Sequence, residues 1–346
     1  VNTYCVYSKK VVFLHTEKSE CNVEPMLSIA MATYNGERFL REQLDSLLTQ
    51  TITDFEVVVC DDCSTDNTVA ILEYYAKADA RFRIYRNEHN IGFKKNFEQA
   101  IKRCKGDYIA LCDQDDIWYP NHLELLLDNI GDCVLCCGNS ELVNSENKSL
   151  GRMLSDNDKF YHIPQPSRRL IYKLFYSGNP MQGASMLVCS DFVRKSLPIP
   201  NGVGFHDAWL ACCGCLEQKG ISYFFEPITR YRQHEHNVTV VANREYVDTF
   251  YTRMQKGLRL LCTNASLKTD RWSYIDGLKT LYKDDKDVAE IAGVMADLLK
   301  GRKITLWKHF WNHYDDLVLT VQKSSFLKKF LGVMQKYFVY IHWTPN

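Results

Sequence analysis

Residues 26–130 predict an α/β fold, a mostly parallel sheet with helices on both faces. Two observations carry this. Short apolar, β-branched runs alternate with stretches of helical period, the pattern of strand–helix–strand units. Each apolar run also ends in a polar cluster, at the carboxyl edge of such a sheet, where ligands bind.

The elements follow in order. "LSIAMATYN" is a strand running into a loop, and "GERFLREQLDSLLTQT" places Phe39, Leu40, Leu44, Leu47 and Leu48 at helical spacing. "FEVVVCDDCSTDNT" repeats strand and turn, and Ser64, Thr65 and Asp66 are capping candidates for the helix "VAILEYYAKA". "RFRIYRN" is a third strand, "GFKKNFEQAIKRC" a third helix and "DYIALCD" a fourth strand. The strand ends carry Thr33-Tyr34-Asn35, Asp61-Asp62 and the acids of 113–116. Any one of these reads as an ordinary turn; three in succession converge on one edge. Neither a GxGxxG fingerprint nor a P-loop occurs, so a nucleotide would be held by other means.

The bulk composition restricts function further. The chain has 346 residues, 46% hydrophobic and 24% charged, the mix of a protein with a full core. Lysine plus arginine equals aspartate plus glutamate, 42 each, which gives no basis for nucleic-acid binding by counterion release. Of 14 cysteines, Cys60/Cys63, Cys133/Cys136 and Cys212/Cys215 are spaced CxxC. These pairs lie much farther apart than the about 15 to 20 residues typical of zinc modules. Buried thiols in a reducing compartment are the expectation. Neither a signal-like N-terminus nor an apolar run long enough to span a bilayer is visible, so the sequons at Asn147, Asn237 and Asn264 carry little weight. The expected location is cytoplasmic.

"LCDQDDIWYP" crowds Asp113, Asp115 and Asp116 together, and like charges this close repel. Sharing a divalent cation, Mg²⁺ or Mn²⁺, resolves the repulsion, and magnesium is usually held by one or two carboxylates plus substrate phosphates. The segment therefore predicts a metal paired with a diphosphate.

"SIAMATYNGERFLREQLDSLLTQTITDFEVVVCDDCSTDNT", "NIGFKKNFEQAI", "GDYIALCDQDDIW", "FHDAWL" and "YRQHEHN" together resemble family 2 glycosyltransferases of the GT-A fold, over roughly residues 26–240. Within that family, "DQDDIW" followed by "HDAW" is most similar to bacterial rhamnosyltransferase-type enzymes of surface polysaccharide. The resemblance implies an inverting, metal-dependent enzyme that moves one sugar from a nucleoside-diphosphate donor (dTDP-rhamnose or a UDP-hexose) to a glycan or lipid-linked acceptor. It implies a nucleotide half at 26–130, an acceptor half at 131–241, an N-terminal extension at 1–25 and a helical C-terminal region at 242–346.

The resemblance also implies roles. Thr33, Tyr34 and Asn35 line the nucleotide pocket, and Asp62 hydrogen-bonds a pyrimidine ring, whereas Asp61 is a turn or capping residue. Asn90, Gly92 and Lys94, with Asn96, face phosphate or ribose at a helix start; an ordinary glycine turn is the alternative. Asp113 and Gln114 belong to the nucleotide-sugar site, Asp115 binds the metal, and Asp116 contacts the sugar or supports the metal. Trp118 reads as a core anchor, with Pro120 starting the next helix. Gln182-Gly183 lies on the acceptor side. Asp207 is the catalytic base, with a helix N-cap as the plainer reading. His234 completes the metal or diphosphate site, Arg232 pairs with the diphosphate, and His236 belongs to a solvated loop.

Beyond residue 242 helical spacing continues, and "SSFLKKFLGVMQKYFVYIHW" reads either as an interfacial helix on anionic lipid or as a helix docked on the core or a second subunit. A sugar-nucleotide nucleotidyltransferase and a non-catalytic nucleotide-sugar binder are the rival readings. The first lacks its glycine-rich triphosphate loop here; the second sits poorly with Asp115, Asp207 and His234 all being present. A processive polymerase would carry QxxRW, which is absent.

Overall fold

The computed structural model describes residues 26–157, 170–177, 179, 181–235, 237 and 265–312. The expectations for 1–25, His236 and the amphipathic C-terminal stretch lie outside these residues. The nucleotide half runs β1 (Leu27–Thr33), α1 (Leu40–Leu48), β2 (Phe55–Asp61), α2 (Thr68–Ala78), β3 (Phe82–Arg86), α3 (Phe93–Arg103) and β4 (Tyr108–Cys112). After β5 (Ile117–Trp118) come α4 (His122–Ile130), β6 (Leu135–Asn144), β7 (Ser149–Met153), α5 (Leu154–Asn157) and α6 (Leu170–Ser177). A 3₁₀ turn at Gly183–Ser185 leads into β8 (Met186–Cys189), α7 (Ser190–Lys195), α8 (His206–Leu216) and β9 (Ile221–Gln233). Three further helices are α9 (Ala265–Leu281), α10 (Lys286–Leu299) and α11 (Lys303–Asn312).

One sheet runs in the order β3-β2-β1-β4-β8-β6-β9-β5, with β7 beside β6. The four predicted strands are parallel to one another. β8 then enters antiparallel to both β4 and β6, while β6 and β9 are again parallel. The short β8 reversal joins the two halves into one surface.

Side-chain alternation explains why helices cover both faces. Ile29, Met31, Val57, Val59, Ala110 and Cys112 meet Leu40, Leu44 and Leu72 of α1 and α2. Ala30, Val58, Ile109 and Leu111 meet Phe97 and Ile101 of α3 in a second cluster that extends to Trp209, Leu278, Ile291 and Leu306. The C-terminal helices thus pack on the same face as α8. That covering is why α8 is apolar nearly all round: Ala208 to Gly214 are all buried. Tyr282 Oη donates to the Cys213 carbonyl (3.1 Å) and Glu217 Oε1 (2.8 Å), and Asp285 caps α10 through the Asp287 and Val288 N–H groups.

Several local expectations need correction. Asn67, not Ser64 or Thr65, precedes α2; of the three predicted caps only Asp66 reaches the helix, accepting from Thr68 N at 3.0 Å. The helix expected from Pro120 starts at His122, and Trp118 is indeed buried, stacked on His122 at 3.7 Å. The cysteines among the described residues are free, and burial pushes Cys60 up to about 11 and Cys104 up to about 12. Both stay protonated at neutral pH.

Candidate active site

The carboxyl ends of β1 and β2 are tied together by their own acids. Thr33 Oγ1 donates to Asp61 Oδ1 (3.0 Å), and Ser64 donates to both Asp61 oxygens (2.9 and 2.5 Å). Asp61 is therefore a turn residue, fully buried. Asp62 Oδ1 accepts from Asn87 Nδ2 (2.9 Å) and Ile91 N (2.8 Å), while Oδ2 accepts from Gly92 N (2.8 Å). Gly92 sits at φ +83°, a conformation L side chains rarely adopt, so glycine suits this entry into α3. Asn90 Oδ1 also accepts from Gly92 N (3.1 Å). Asp62 thus fixes the loop that opens α3 while a carboxylate's remaining lone pairs stay open to the cavity.

Tyr34 and Gln114 hold the rim. The Tyr34 N–H donates to Gln114 Oε1 (2.8 Å) and Gln114 Nε2 donates back to the Tyr34 carbonyl (3.0 Å), which leaves the phenol exposed. Asn35, at φ +46°, instead bridges to the β2 loop, accepting from Thr65 N at 2.8 Å while its own N–H donates to Ser64 Oγ at 2.9 Å.

The acidic loop after β4 is pinned from across the molecule. Asp116 is fully buried, accepts from the Arg232 backbone N–H (3.0 Å) and is reached by Gln182 Nε2 (3.3 Å). Burial pushes Asp113 up to about 8, with the charges of Asp115 and Asp207 adding to it. Burial, then Asp115 and Asp113, raises Asp116 well above the carboxylate range, against the pull of Arg232. Desolvation therefore outweighs the mutual repulsion that the sequence suggested. Asp115 Oδ2 lies 2.9 Å from His234 Nε2, and the His234 ring packs on Phe39 with centroids 4.7 Å apart.

From the second half, Asp207 enters in the first turn of α8, whose N-cap position is Phe205; the N-cap reading of Asp207 is corrected accordingly. Its Oδ2 accepts from Gly183 N at 3.3 Å. Burial pushes Asp207 up to about 6, against the N–H groups of Ala208 and Gly183 and the Asn179 side chain, which lower it. A carboxylate with that affinity for protons is suited to take one near neutral pH. Beside it, burial pushes His206 down to about 3, so its imidazole is neutral.

These pieces surround one cavity of about 450 Å³. Of the residues singled out in the sequence, Thr33, Tyr34, Asp62, Asn90, Gly92, Asp113, Gln114, Asp115 and Asp207 line it, as do Asn96, Gln182 and Gly183. Asn35, Lys94, Arg232 and His234 do not form its wall, although His234 touches it through Asp115. Two expectations change in consequence. Lys94 Nζ donates to the carbonyls of Asn201 (3.0 Å) and Val203, locking α3 to the loop before α8 instead of facing phosphate. Arg232 is fully buried, and its guanidinium donates to the carbonyls of Asp115 (2.8 Å) and Ser145 (2.9 Å) and to Glu42 (3.0 Å). It supports the acidic loop from behind. These bonds engage all three guanidinium nitrogens within the protein.

The wall also contains residues that sequence reasoning passed over: Phe93, Phe97, Phe205, His206, Tyr231 and Asn237. Phe97 looked like an ordinary apolar position of α3. His206 had a signal, its place beside Asp207 in "FHDAWL".

The donor set fits a hard divalent cation. Asp115 and His234 offer an oxygen and a nitrogen side by side, and burial together with the neighbouring carboxylates disfavours charge on Asp113 and Asp116, a penalty that a positive ion would relieve. No group of three or more His, Cys, Asp or Glu side chains gathers at one point among the described residues. Phosphate oxygens and water would complete such a shell, as is usual for magnesium.

The comparisons with known proteins agree with this geometry. The model of glycosyl transferase family 2 matches residues 28–192. An uncharacterized glycosyltransferase of Rickettsia typhi is 33% identical over 231 residues, 63% of this chain and 67% of that protein. A UDP-Glc:alpha-D-GlcNAc-diphosphoundecaprenol beta-1,3-glucosyltransferase of Escherichia coli is 33% identical over 140 residues, 40% of this chain and 54% of its own length. Among solved structures, S. aureus TarS 1-349 in complex with UDP-GlcNAc superposes with a TM-score of 0.50 at 18% identity, covering 82% of this chain and 89% of that one, a likeness of fold. With a sheet of this topology and a site at its carboxyl edge, the chain belongs to glycosyltransferase family 2.

Proposed function

We propose that this glycosyltransferase is inverting and metal-dependent, and moves one sugar from a pyrimidine nucleoside-diphosphate donor to a glycan or lipid-linked acceptor of a surface polysaccharide. The observation that carries the reading is that Asp207 lines the same cavity as Asp113 and Asp115. A base and a diphosphate site sharing one enclosure are what a single in-line displacement requires.

In this reading Tyr34 and Asp62 face the base, the Asn90–Gly92 loop faces ribose or phosphate, and Asp113 and Gln114 hold the sugar-phosphate end. Asp115 and His234 would hold Mg²⁺ or Mn²⁺, which when bound neutralises charge growing on the departing diphosphate. Arg232 and Asp116 keep the acidic loop in place. Asp207, ionised above about pH 6, takes the acceptor hydroxyl's proton as that oxygen attacks the anomeric carbon. The bond to the diphosphate breaks on the opposite face, and the configuration inverts. The catalytic unit comprises residues 26–241, with 242–346 as a helical region added to it.

Two named relatives support a UDP-sugar donor. The E. coli protein is named for UDP-Glc and a diphosphoundecaprenol acceptor, and the TarS structure holds UDP-GlcNAc. dTDP-rhamnose remains in the donor set through the "HDAW" resemblance. Among the described residues no helix is long and apolar enough to cross a membrane.

Calorimetric titration with UDP- and dTDP-sugars, with and without Mn²⁺ or Mg²⁺, tests the proposal. Tight binding of one donor only with metal, followed by transfer or slow hydrolysis, supports it. Metal-independent binding would remove Asp115 and His234 from a cation site, and binding with no turnover under any acceptor supply would leave a nucleotide-sugar binder.

A further inference from the structure

His206 is the polar group on the cavity wall whose environment differs most from what a buried histidine requires. It is 6% exposed, and neither ring nitrogen has a hydrogen-bond partner among the described residues. The imidazole stacks on Phe97 with centroids 4.1 Å apart and rings inclined by 22°, and Phe93 meets its edge at 6.2 Å. Gly183 packs against Nε2: a Cβ added there would lie 2.9 Å from it, so only glycine leaves room for the ring.

His122 supplies an internal contrast. It too has an unpaired Nε2, but its Nδ1 is satisfied by the Ile228 carbonyl at 3.0 Å and its ring lies flat against Trp118, away from the cavity. That is a packed core histidine. His206 has two buried nitrogens without a hydrogen-bond partner among the described residues, a ring stacked on Phe97 and a place in the cavity wall. Buried polar groups in folded proteins are satisfied as a rule, and an orphan on a cavity wall points to a partner that arrives with the ligand.

We propose that His206 hydrogen-bonds one hydroxyl of the donor's sugar ring and sets which hexose the enzyme accepts. The inference rests on the donor reading above. A neutral imidazole presents one N–H donor and one lone pair, and a sugar hydroxyl both accepts and donates, so either tautomer can pair one of its nitrogens with a hydroxyl. The donor sugar is favoured over the acceptor because His206 stacks on α3, the helix whose first turn Asp62 pins, and shares its cavity with Asp113 and Asp115. A sugar attached to a diphosphate at that acidic edge is enclosed by this cavity. A site built to bond a hydroxyl rejects the analogue lacking it by up to about 10⁴-fold, since the protein group is then left unpaired.

The test uses donor hydrolysis without acceptor, so that only the donor sugar can reach His206. From UDP-glucose, UDP-N-acetylglucosamine and dTDP-rhamnose, the one hydrolysed fastest by wild type is compared with its monodeoxy analogues on wild type, His206→Phe and His206→Gln. Wild type is expected to lose about 10³-fold in kcat/KM with one analogue. His206→Phe should be slow with the parent donor yet indifferent to that one deletion, its response to the other analogues unchanged, and His206→Gln should recover part of the discrimination. Binding of UDP or dTDP should be equal in all three proteins. A His206→Phe enzyme that discriminates as wild type does would overturn the inference while leaving the transferase reading intact. Should His206→Phe fail to bind nucleotide at all, His206→Gln decides alone: discrimination unchanged from wild type overturns the proposal. If wild type neither binds nor hydrolyses any donor of the panel, the donor reading itself fails, and this inference with it. Where it binds one without hydrolysis, affinity for the monodeoxy analogues is compared in the same three proteins, and discrimination by His206→Phe equal to that of wild type overturns the inference.

Discussion

The two sides of the cavity treat their polar groups in opposite ways. On the β1–β2 edge the acids are tied into the protein: Asp61 with Thr33 and Ser64, Asp62 with Asn87, Ile91 and Gly92. Across the cavity, Asp113 has no hydrogen bond to its carboxyl among the described residues, and His206 has none at either nitrogen. The first side is a frame built from strand-end turns. The second is left open, at a cost in desolvation that only a bound charge or hydroxyl offsets. A polar residue at a strand end is therefore not evidence of ligand contact until its own partners have been counted.

The contrast yields predictions that differ in kind. The largest loss of stability is expected for Arg232→Ala. It removes a fully buried cation from the Asp115 and Ser145 carbonyls and from Glu42, and the 4.6 Å contact of the guanidinium with Phe39. Carbonyls left unpaired cost about 1 to 3 kcal/mol each, while the half-exposed Glu42 adds little; denaturant unfolding should show the sum. Next, Asp62→Ala strips three hydrogen bonds from one buried carboxylate and should cost about 2 kcal/mol, with weaker donor binding because the Gly92 turn loosens. If Asp62→Ala left stability unchanged and lost only nucleotide affinity, the frame would in truth be a ligand site. A smaller effect falls on the open side. The free-enzyme Asp207 carboxyl is held at about 6 by burial, so kcat/KM should fall tenfold per pH unit below that value and level off above it. The sign for stability is the reverse. A raised folded-state value favours the protonated protein, so the Asp207 contribution is full at pH values below the ordinary carboxylate range and is lost as pH rises through about 6. Without metal and donor, Asp207→Asn should therefore gain stability on wild type as pH rises from 4 to 7.

The frame was largely legible in the sequence because its causes are local. The apolar runs in "LSIAMAT" and "FEVVVCD" read as strands of a sheet covered on both faces, and the polar residues following each run fell at the sheet's edge. The place of Asp207 in the cavity wall was legible through its motif. What could not be read arises from contacts distant in sequence. Arg232 meets Asp115 across 117 positions and Glu42 across 190, and Lys94 reaches the Asn201 carbonyl across 107. A basic residue beside an acidic motif looks the same in sequence whether it faces a phosphate or props the loop from behind. The reversed β8 was equally hidden, since a four-residue apolar run gives no direction of pairing. The aromatic wall escaped because Phe97 has the spacing of a core residue and is one, on its other face.

The central claim is that Asp207 acts as base toward a sugar donor held at the acidic edge, and Asp207→Asn tests it most directly. With the preferred donor and Mn²⁺, the variant should bind as wild type does while transfer falls by about 10²- to 10⁴-fold, the range that a positioned base supplies. Transfer within a few-fold of wild type, with donor binding intact, would contradict the account and move the base elsewhere on the cavity wall.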